Sequence, residues 1–525
     1  MNKNLGLLII VLLSICIGYL IGSEKEVLLP YSDNTQSIKR LQRLIRYIKT
    51  DYVESIDTDS LVETVLEDLV ERLDPHSVYI SARERQTISE NMQGNFHGIG
   101  VGFFMNRDSV TITKVIEGGP SKEAGLMPGD RILMADNDTL FKKNYSTEKI
   151  MQTLKGELGT PVDLTLYRKA EDRVLKVKLN RGKVPLPSVE AYYLMEGMVG
   201  YMKINRFSQT TYQEFDNALR KLLSQGMEKL ILDLRDNPGG YMLPAQQISN
   251  TFLKKDQTIV ITQSNRGEKE RSYAEGNGIF QQGTLIVLVN EKSASASEIV
   301  AGAIQDNDRG WIVGRRTFGK GLVQQQMPLG GGDAVRLTTA RYFTPTGRSI
   351  QKPYNKDRVA YYDELIDRYH NGEMGDREKI PITDSLAYKT PKGRTVYGGG
   401  GIIPDFFVPT NTSEEEAWIE YVLNSFMMSN FVFNELDKNW NQFLALKKED
   451  VLSELAEKII PWHRLFMEYC DSIDVEVSPD EKQTLKAAKA FLGLQLFDEN
   501  TFYQIKNQDD PYVETAIKKL QELKE

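Results

Sequence analysis

Apolar and polar residues follow four successive patterns along the chain, and the first is an almost unbroken apolar run over residues 5–22, preceded by Lys3. About eighteen residues of helix is near the lower limit for crossing the hydrocarbon core of a bilayer. No small-residue cleavage site closes the run, so we predict that residues 1–23 form an uncleaved membrane anchor, with a cleaved signal as the alternative. Lys3 on one side and acidic residues on the other predict a cytoplasmic N-terminus and an exported body.

The second pattern has helical spacing. In "IKRLQRLIRYIKTDYV" apolar residues recur every three to four positions, and "SLVETVLEDLVERLDP" repeats the pattern up to Pro75. We therefore predict a helical N-terminal segment over residues 24–93.

Short alternating strands begin at Gly94, interrupted by the Gly/Pro-rich stretch "GPSKEAGLMPGDRI" and by one helix, "STEKIMQTLKG". With these features, residues 94–182 resemble a PDZ domain. Gly98, Ile99, Gly100 and Val101 match the loop whose backbone amides bind the C-terminal carboxylate of a peptide, which adds a strand to the sheet. The alternative is that these glycines serve only tight turns.

Strands and helices alternate over residues 183–410, which predicts a mainly parallel or mixed sheet. The buried strands include "KLILDL", which runs into the glycine turn "RDNPGG", and "TLIVLVN". Residues 411–525 return to a helical pattern rich in Glu, Lys, Leu and Phe. The predicted fold class is a multi-domain α/β protein, with a β-rich PDZ domain inserted before an α/β core and helical segments at both ends.

Composition narrows the function classes. A net charge of −8 argues against a dedicated nucleic-acid-binding protein. The two cysteines, Cys16 and Cys470, cannot form a clustered zinc site, and the four histidines show no H-E-x-x-H arrangement. We expect no metal and no disulfide between the two cysteines.

A strand-to-helix turn carries "NEKSASASEIVAGAIQD" and places side chains at the carboxyl edge of the sheet, where α/β sites usually lie. Ser295 and Glu298 fit a helix capping box, which is one explanation for the serine. The other is a nucleophile whose oxyanion is bound by backbone amides at the start of the helix. That hydroxyl needs a base, and His76, His97 and His370 are distant in sequence.

The stretch "GRRTFGKG" nearly spells a nucleotide-binding P-loop, with Gly314, Gly319 and Lys320 in register. Gly321 replaces the hydroxyl that would bind Mg²⁺, and a strand rather than a helix is predicted to follow. A desolvated lysine can instead act as a neutral base. Residues 320 and 324 share a face of an extended strand, so Gln324 could orient the Lys320 amine without adding charge.

Taken together, "SASASEIVAGAIQD", "VGRRTFGKGLVQ", "DLRDNPGG", "LDPHSVY", "GNFHGIGVGF" and "YGGGGIIPD" resemble the carboxy-terminal processing proteases, the Ser/Lys peptidases of family S41, over about residues 40–410. The resemblance implies a ClpP/crotonase-like protease core at 183–410. It also implies Ser295 as nucleophile, Lys320 as general base and Gln324 as its orienting partner.

The resemblance further implies an oxyanion hole formed by the amide of Ala296 and by that of Gly239 or Gly240, with Asp233 and Arg235 holding the glycine turn. No cofactor is implied. The expected partners are proteins bound through their C-terminal peptides, the membrane at residues 5–22, and a second copy of the chain or an adaptor. The expected location is periplasmic or otherwise extracytoplasmic.

Three other functions are compatible with parts of the sequence. They are a catalytically inactive PDZ scaffold at the membrane, a P-loop nucleotide-binding protein, and a Ser/His hydrolase using one of the scattered histidines.

Overall fold

The computed structural model describes residues 36–522, apart from 107–108, 144, 355–356, 411–412, 444 and 454–458. The predicted anchor therefore lies outside the described residues. Within the described ranges, no helix is long and apolar enough to cross a membrane. The described residues divide into two compact units, with the boundary between residues 69 and 70.

The helical spacing near the N-terminus is confirmed by α1 (Gln36–Asp51) and α2 (Thr58–Glu71). The prediction of helix throughout residues 24–93 is wrong at β1 (Val78–Ile80), which follows Pro75. The β-favouring "VYI" is recruited into a sheet by distant strands, which a local helical pattern does not reveal. In α3 (Ala82–Gln93) the Ser81 hydroxyl accepts from the N–H of Glu84, and the helix ends at Gly94 with φ +74°.

The next segment is an antiparallel β-domain. Its elements are β2 (Asn95–Gly98), β3 (Val101–Asn106), β4 (Ser109–Val115), α4 (Pro120–Glu123), β5 (Asp130–Ala135), β6 (Asp138–Thr139), α5 (Thr147–Leu154), β7 (Pro161–Arg168), β8 (Arg173–Asn180) and β9 (Gly182–Pro185). The sheet order is β3-β4-β5-β7-β8, with β6 on β5, while β2 pairs with β9. Within the described part of the chain, β3 is thus an edge strand.

The α/β core follows. Its elements are β10 (Val189–Met195), β11 (Val199–Ile204), α6 (Thr211–Ser224), β12 (Lys229–Asp233), α7 (Met242–Phe252), β13 (Thr258–Ser264), β14 (Lys269–Tyr273), β15 (Thr284–Val289), α8 (Ala296–Asp306), β16 (Trp311–Gly314), β17 (Leu322–Pro328), β18 (Ala334–Phe343), α9 (Arg358–His370), β19 (Ala387–Lys389), β20 (Thr395–Tyr397) and β21 (Phe406–Phe407).

Two large sheets build this core, and β19 and β20 form a separate antiparallel pair. The first has the order β10-β11-β12-β15-β16-β21 and is parallel except for the β10–β11 pair, which confirms the predicted mixed sheet. The second has the order β1-β18-β13-β14 with β17 also on β18, and it joins the N-terminal strand β1 to the core. Buried apolar residues of β12, β15 and α8 form the interior between the layers.

Helices complete the chain: α10 (Glu414–Leu423), α11 (Phe426–Lys438), α12 (Trp440–Phe443), α13 (Lys448–Leu452), α14 (Trp462–Ser472), α15 (Glu481–Leu496), α16 (Glu499–Lys506) and α17 (Pro511–Glu522). Most of them share an aromatic-rich core of their own, but α17 packs on the first core sheet through Val513, Ala516 and Leu520. The last helix of the predicted C-terminal domain is thus physically part of the α/β core.

Candidate active site

The site lies at the carboxyl ends of two neighbouring parallel strands. β12 ends at Asp233 and continues into the glycine turn, and β15 ends at Val289 and continues into the loop that carries Ser295. The carboxyl edge of a parallel sheet is where α/β proteins usually place their ligands. The order of the strands therefore brings the two predicted site segments together.

Ser295 has an unusual backbone conformation, with φ 53° and ψ −110°, immediately before α8. Such a conformation is costly for a residue with a Cβ and persists only where the surroundings impose it. Ser295 and Glu298 form the predicted capping box, in which the Ser295 N–H donates to Oε2 of Glu298 at 2.8 Å. The N–H of Glu298 also donates to the Ser295 carbonyl at 2.9 Å. Capping alone does not require the strained backbone of Ser295, because ordinary N-cap residues adopt the β-region.

The glycine turn is built against Ser295. A Cβ on Gly239 would lie 2.8 Å from Ser295 Cβ and 2.9 Å from the Ala296 nitrogen, so only glycine fits. The N–H of Gly239 is already bonded, at 2.9 Å, to Oδ1 of the fully buried Asn237. Among the described residues, the N–H groups of Gly240 and Ala296 have no acceptor.

The base of the glycine turn is an ion-paired cluster. Asp233 is fully buried and accepts hydrogen bonds from the Arg235 guanidinium at 2.6 Å and from the Tyr201 hydroxyl at 2.7 Å. Burial opposes its ionisation, but Arg235 and Lys203 hold its pKa well below the ordinary range. Arg235 also pairs with Asp510 of the C-terminal helices at 2.8 Å. The contacts match the structural role expected for Asp233 and Arg235.

Lys320 lies in the loop between β16 and β17, and its Nζ donates to Gln324 Oε1 at 2.9 Å. The predicted strand is present, but it begins at Leu322 and has a bulge between Val323 and Gln324. The predicted contact thus forms, although simple strand alternation is not its cause. The strand that follows Gly321 also agrees with the argument against a P-loop, in which a phosphate-binding helix would begin at this point.

Burial and, to a smaller extent, the positive charge of Arg336 lower the pKa of Lys320 from 10.5 to about 8, whereas Glu298 and Asp74 oppose the shift. About a tenth of the amine is therefore neutral at pH 7 and about half at pH 8, and the neutral form is the one that a lysine base requires. Among the described residues, no hydrogen bond joins this amine to the Ser295 hydroxyl. Such contacts often tighten only when substrate binds.

Two residues that sequence patterns did not place in the site support Lys320. The fully buried carboxylate of Glu298 accepts from the backbone N–H groups of both Ser295 and Lys320. The carbonyl oxygen of His76 accepts from Nε2 of Gln324. The capping-box spacing was the only local signal for Glu298, and "LDPHSVY" was the only one for His76.

The surroundings of the three candidate histidines do not favour any of them as the base for Ser295. The His76 ring is hydrogen-bonded to the Tyr361 hydroxyl at 2.8 Å, and burial together with the Lys320 charge lowers its pKa to about 3. His97 is exposed on β2, and His370 is exposed at the end of α9. Lys320 differs from these histidines because its backbone N–H and that of Ser295 donate to the same carboxylate, that of Glu298.

The predicted peptide-binding loop connects β2 to the edge strand β3. Gly98 ends β2, Val101 begins β3, and Ile99 is buried in the β-domain interior. Gly100 has φ +81°, and a Cβ there would lie 3.2 Å from the Gly119 Cα. The C-terminal helices contact β3 at one point, where Phe104 packs edge-on against Phe433 with 5.0 Å between ring centroids.

Comparisons with known proteins agree with this architecture. The family model of peptidase family S41 matches residues 198–359, and a PDZ domain model matches residues 98–179. A carboxy-terminal-processing protease of Bartonella bacilliformis is 33% identical over 324 residues, covering 60% of this chain and 73% of the relative. The carboxy-terminal processing protease CtpB of Bacillus subtilis is 31% identical over 356 residues, covering 67% and 73%.

Among solved structures, the photosystem II D1 C-terminal processing protease shares 24% identity, with 72% of this chain and 88% of that chain covered at a TM-score of 0.36. On the sequence matches, the chain belongs to the carboxy-terminal processing proteases of peptidase family S41. The family resemblance and the fold class predicted from the motifs are confirmed.

Proposed function

We propose that the protein is a serine endopeptidase in which Ser295 is the nucleophile and Lys320 the general base. The observation that carries this proposal is the shared contact of their backbones. The N–H groups of Ser295 and Lys320 donate to the same carboxylate oxygen, at 2.8 and 2.9 Å. The backbone of a serine in a strained turn and that of a lysine with a desolvated amine are thus held by one carboxylate, which supports the pairing that Ser/Lys acyl transfer needs.

The chemistry follows the general serine-protease sequence. The neutral amine of Lys320 takes the proton of the Ser295 hydroxyl as its oxygen attacks a peptide carbonyl carbon. The ammonium then protonates the leaving amine, and an acyl-enzyme ester remains. Water, deprotonated by the same amine, hydrolyses the ester and releases the new carboxyl end. Gln324 holds Nζ through a neutral oxygen, so it orients the amine without the pKa increase that a carboxylate would cause.

The developing oxyanion needs two amide donors near the attacked carbon. We propose the N–H of Ala296 as one of these donors, because Ala296 is the first helical residue and its N–H has no intrahelical acceptor. Gly240 is the better second donor, since the N–H of Gly239 is committed to Asn237. Gly239 then serves by its small size against Ser295.

We propose that the PDZ domain binds the C-terminal peptide of a protein substrate. The edge position of β3 supports strand addition, and the loop from Gly98 to Val101 lies at the start of that edge. We further propose an extracytoplasmic location, with residues 5–22 as the anchor, on the sequence pattern alone.

The test is proteolysis of unfolded proteins by residues 24–525, which contain all the described residues. Wild-type protein should cleave, whereas Ser295→Ala and Lys320→Ala should not. Ser224→Ala, at an exposed serine that ends α6, is the control for loss of a serine hydroxyl away from the site, and it should retain cleavage. Cleavage that persists in both Ser295→Ala and Lys320→Ala would sink the proposal.

A further inference from the structure

Glu298 is a buried carboxylate surrounded only by donors. It is fully inaccessible to solvent, and Oε1 accepts from the Thr317 hydroxyl at 2.5 Å and from the N–H of Gly319 at 2.8 Å. Oε2 accepts from the N–H groups of Ser295 and Lys320 at 2.8 and 2.9 Å. Within the described residues, no lysine or arginine forms an ion pair with it. Four donors thus replace the solvation that a counter-ion would otherwise supply.

The donors come from two different loops. Ser295 belongs to the turn before α8, whereas Thr317, Gly319 and Lys320 belong to the loop before β17. No other described side chain bonds to backbone N–H groups of both Ser295 and Lys320. Glu298 therefore contributes to the relative position of nucleophile and base, together with the backbone hydrogen bond from the Phe318 N–H to the Ser293 carbonyl at 3.0 Å. A misplacement of about 1 Å between reacting groups can cost about 100-fold in rate.

We propose that ionised Glu298 is a positioning residue for the reaction, locking the nucleophile loop and the base loop together. This inference rests on the proposed function of Ser295 and Lys320, and it adds a charge requirement to it. Protonation would turn one carboxylate oxygen into a donor facing two other donors, and the lock would lose contacts.

The ionisation states fit each other. Burial raises the pKa of Glu298 from 4.5 to about 7, with its four hydrogen bonds opposing the shift. The carboxylate is therefore ionised in the range where the Lys320 amine becomes neutral. The other titratable groups that face Glu298 are Lys320, Tyr342 and Tyr361, and burial raises the pKa of both tyrosines, so they stay neutral.

Tyr342, which lies on a third element, also connects the nucleophile loop with the base loop. Its hydroxyl, on β18, lies 2.6 Å from the Lys320 carbonyl and 3.0 Å from the Ser295 carbonyl. It contacts the carbonyl side of the residues whose N–H groups Glu298 holds. The two loops are thus connected both through their backbone N–H groups, by Glu298, and through their carbonyl groups, by Tyr342.

The test is Glu298→Gln, assayed by the pH dependence of kcat/KM on an unfolded-protein substrate. We expect the plateau to fall about 100-fold, mainly in kcat, because one amide replaces an acceptor by a donor. We also expect the acid limb to move to lower pH, because removing the negative charge lowers the pKa of Lys320. A residue needed only for folding would lower the plateau without moving the limb.

Glu435→Gln is the matched control. Glu435 is also a buried glutamate, but it lies in α11 and bonds to Lys438 of its own helix. It should leave the plateau and the limb unchanged. A Glu298→Gln protein with a wild-type plateau, or with a lowered plateau and an unmoved limb, overturns the inference.

If the Glu298→Gln protein does not fold, Thr317→Val provides the test of the proposed role of Glu298. It removes one of the four donors and keeps the charge, so we expect about a tenfold lower plateau with the limb in place. A wild-type plateau in a folded Thr317→Val protein overturns the inference. Ser295→Ala, run alongside, separates the two proposals: residual turnover there refutes the proposed nucleophile, whereas an inactive Ser295→Ala with a fully active Glu298→Gln refutes only the role of Glu298.

Discussion

Gly239→Ala is the most informative small change in the glycine turn. The added methyl would lie 2.8 Å from Ser295 Cβ, 2.8 Å from the Ala294 carbonyl oxygen and 2.9 Å from the Ala296 nitrogen. Real Cβ contacts are not that short, so the turn or the serine must move. The backbone at this position has φ +99°, which an alanine adopts only with strain.

The expected cost has two parts. Overpacking costs about 1 to 3 kcal/mol, and the left-handed backbone adds about 1 to 2 kcal/mol. Two of the contacting atoms belong to the proposed nucleophile and to the proposed oxyanion-hole amide, so we expect the displacement to act on catalysis as well. Losing one oxyanion donor typically costs 10² to 10³ in kcat, and we expect about this loss.

Gly393→Ala is the matched control for backbone strain without a steric clash. Gly393 has φ +86° and no atom within 4 Å of the added Cβ, in the turn between β19 and β20. It should lower the thermal midpoint slightly and leave kcat unchanged. Both variants are compared by thermal unfolding and by peptide cleavage. A Gly239→Ala protein with wild-type kcat would refute the close packing of the glycine turn on Ser295.

Three further outcomes test other parts of the structure. Activity should fall below about pH 8 as Lys320 protonates. Arg336→Gln should move this acid limb to higher pH, because removing a neighbouring positive charge raises the pKa of Lys320. The pH dependence of kcat/KM measures both effects. Asp233→Asn should destabilise the core by about 3 to 5 kcal/mol, because it removes the buried carboxylate that pairs with Lys203 and leaves Arg235 with Asp510 alone, as denaturant unfolding would show. Since the folded pKa of Asp233 lies below its unfolded value, its stabilisation is present above about pH 4 and is lost as the pH falls further. Phe433→Ala should cost about 3 to 5 kcal/mol and loosen the packing on Phe104, seen as faster limited proteolysis between the β-domain and the C-terminal helices.

A specific result would contradict each of these three predictions. An acid limb that does not respond to Arg336→Gln would contradict the assignment of that limb to Lys320. An unchanged unfolding midpoint for Asp233→Asn would contradict the buried ion pair. An unchanged cleavage pattern for Phe433→Ala would contradict the packing of the helices on β3.

Local patterns predicted much of this molecule. The strands before Ser295 and after Lys320, the β-domain and the mixed sheet all follow from short-range hydrophobic spacing, and the residues named for catalysis follow from the family motifs. Glu298 was visible only as a capping residue, because its contacts with Gly319 and Lys320 span more than 20 positions.

Other features depended on still longer contacts. β1 pairs with β18 across more than 250 positions, so a helical pattern on both sides of it hid the strand. The carbonyl of His76 reaches Gln324 only through that pairing. The last helix, α17, packs on the core sheet because its apolar face matches that surface, whereas its sequence alone indicates only an amphipathic helix.

The central claim is that Ser295 is a nucleophile activated by the Lys320 amine. The most direct measurement is peptide mapping by mass spectrometry after treatment with a fluorophosphonate, which reacts with activated serines. We predict one adduct, on Ser295, in the wild-type protein and almost none in Lys320→Met at the same exposure. An adduct on another serine, or labelling of Lys320→Met at the wild-type rate, would contradict the claim.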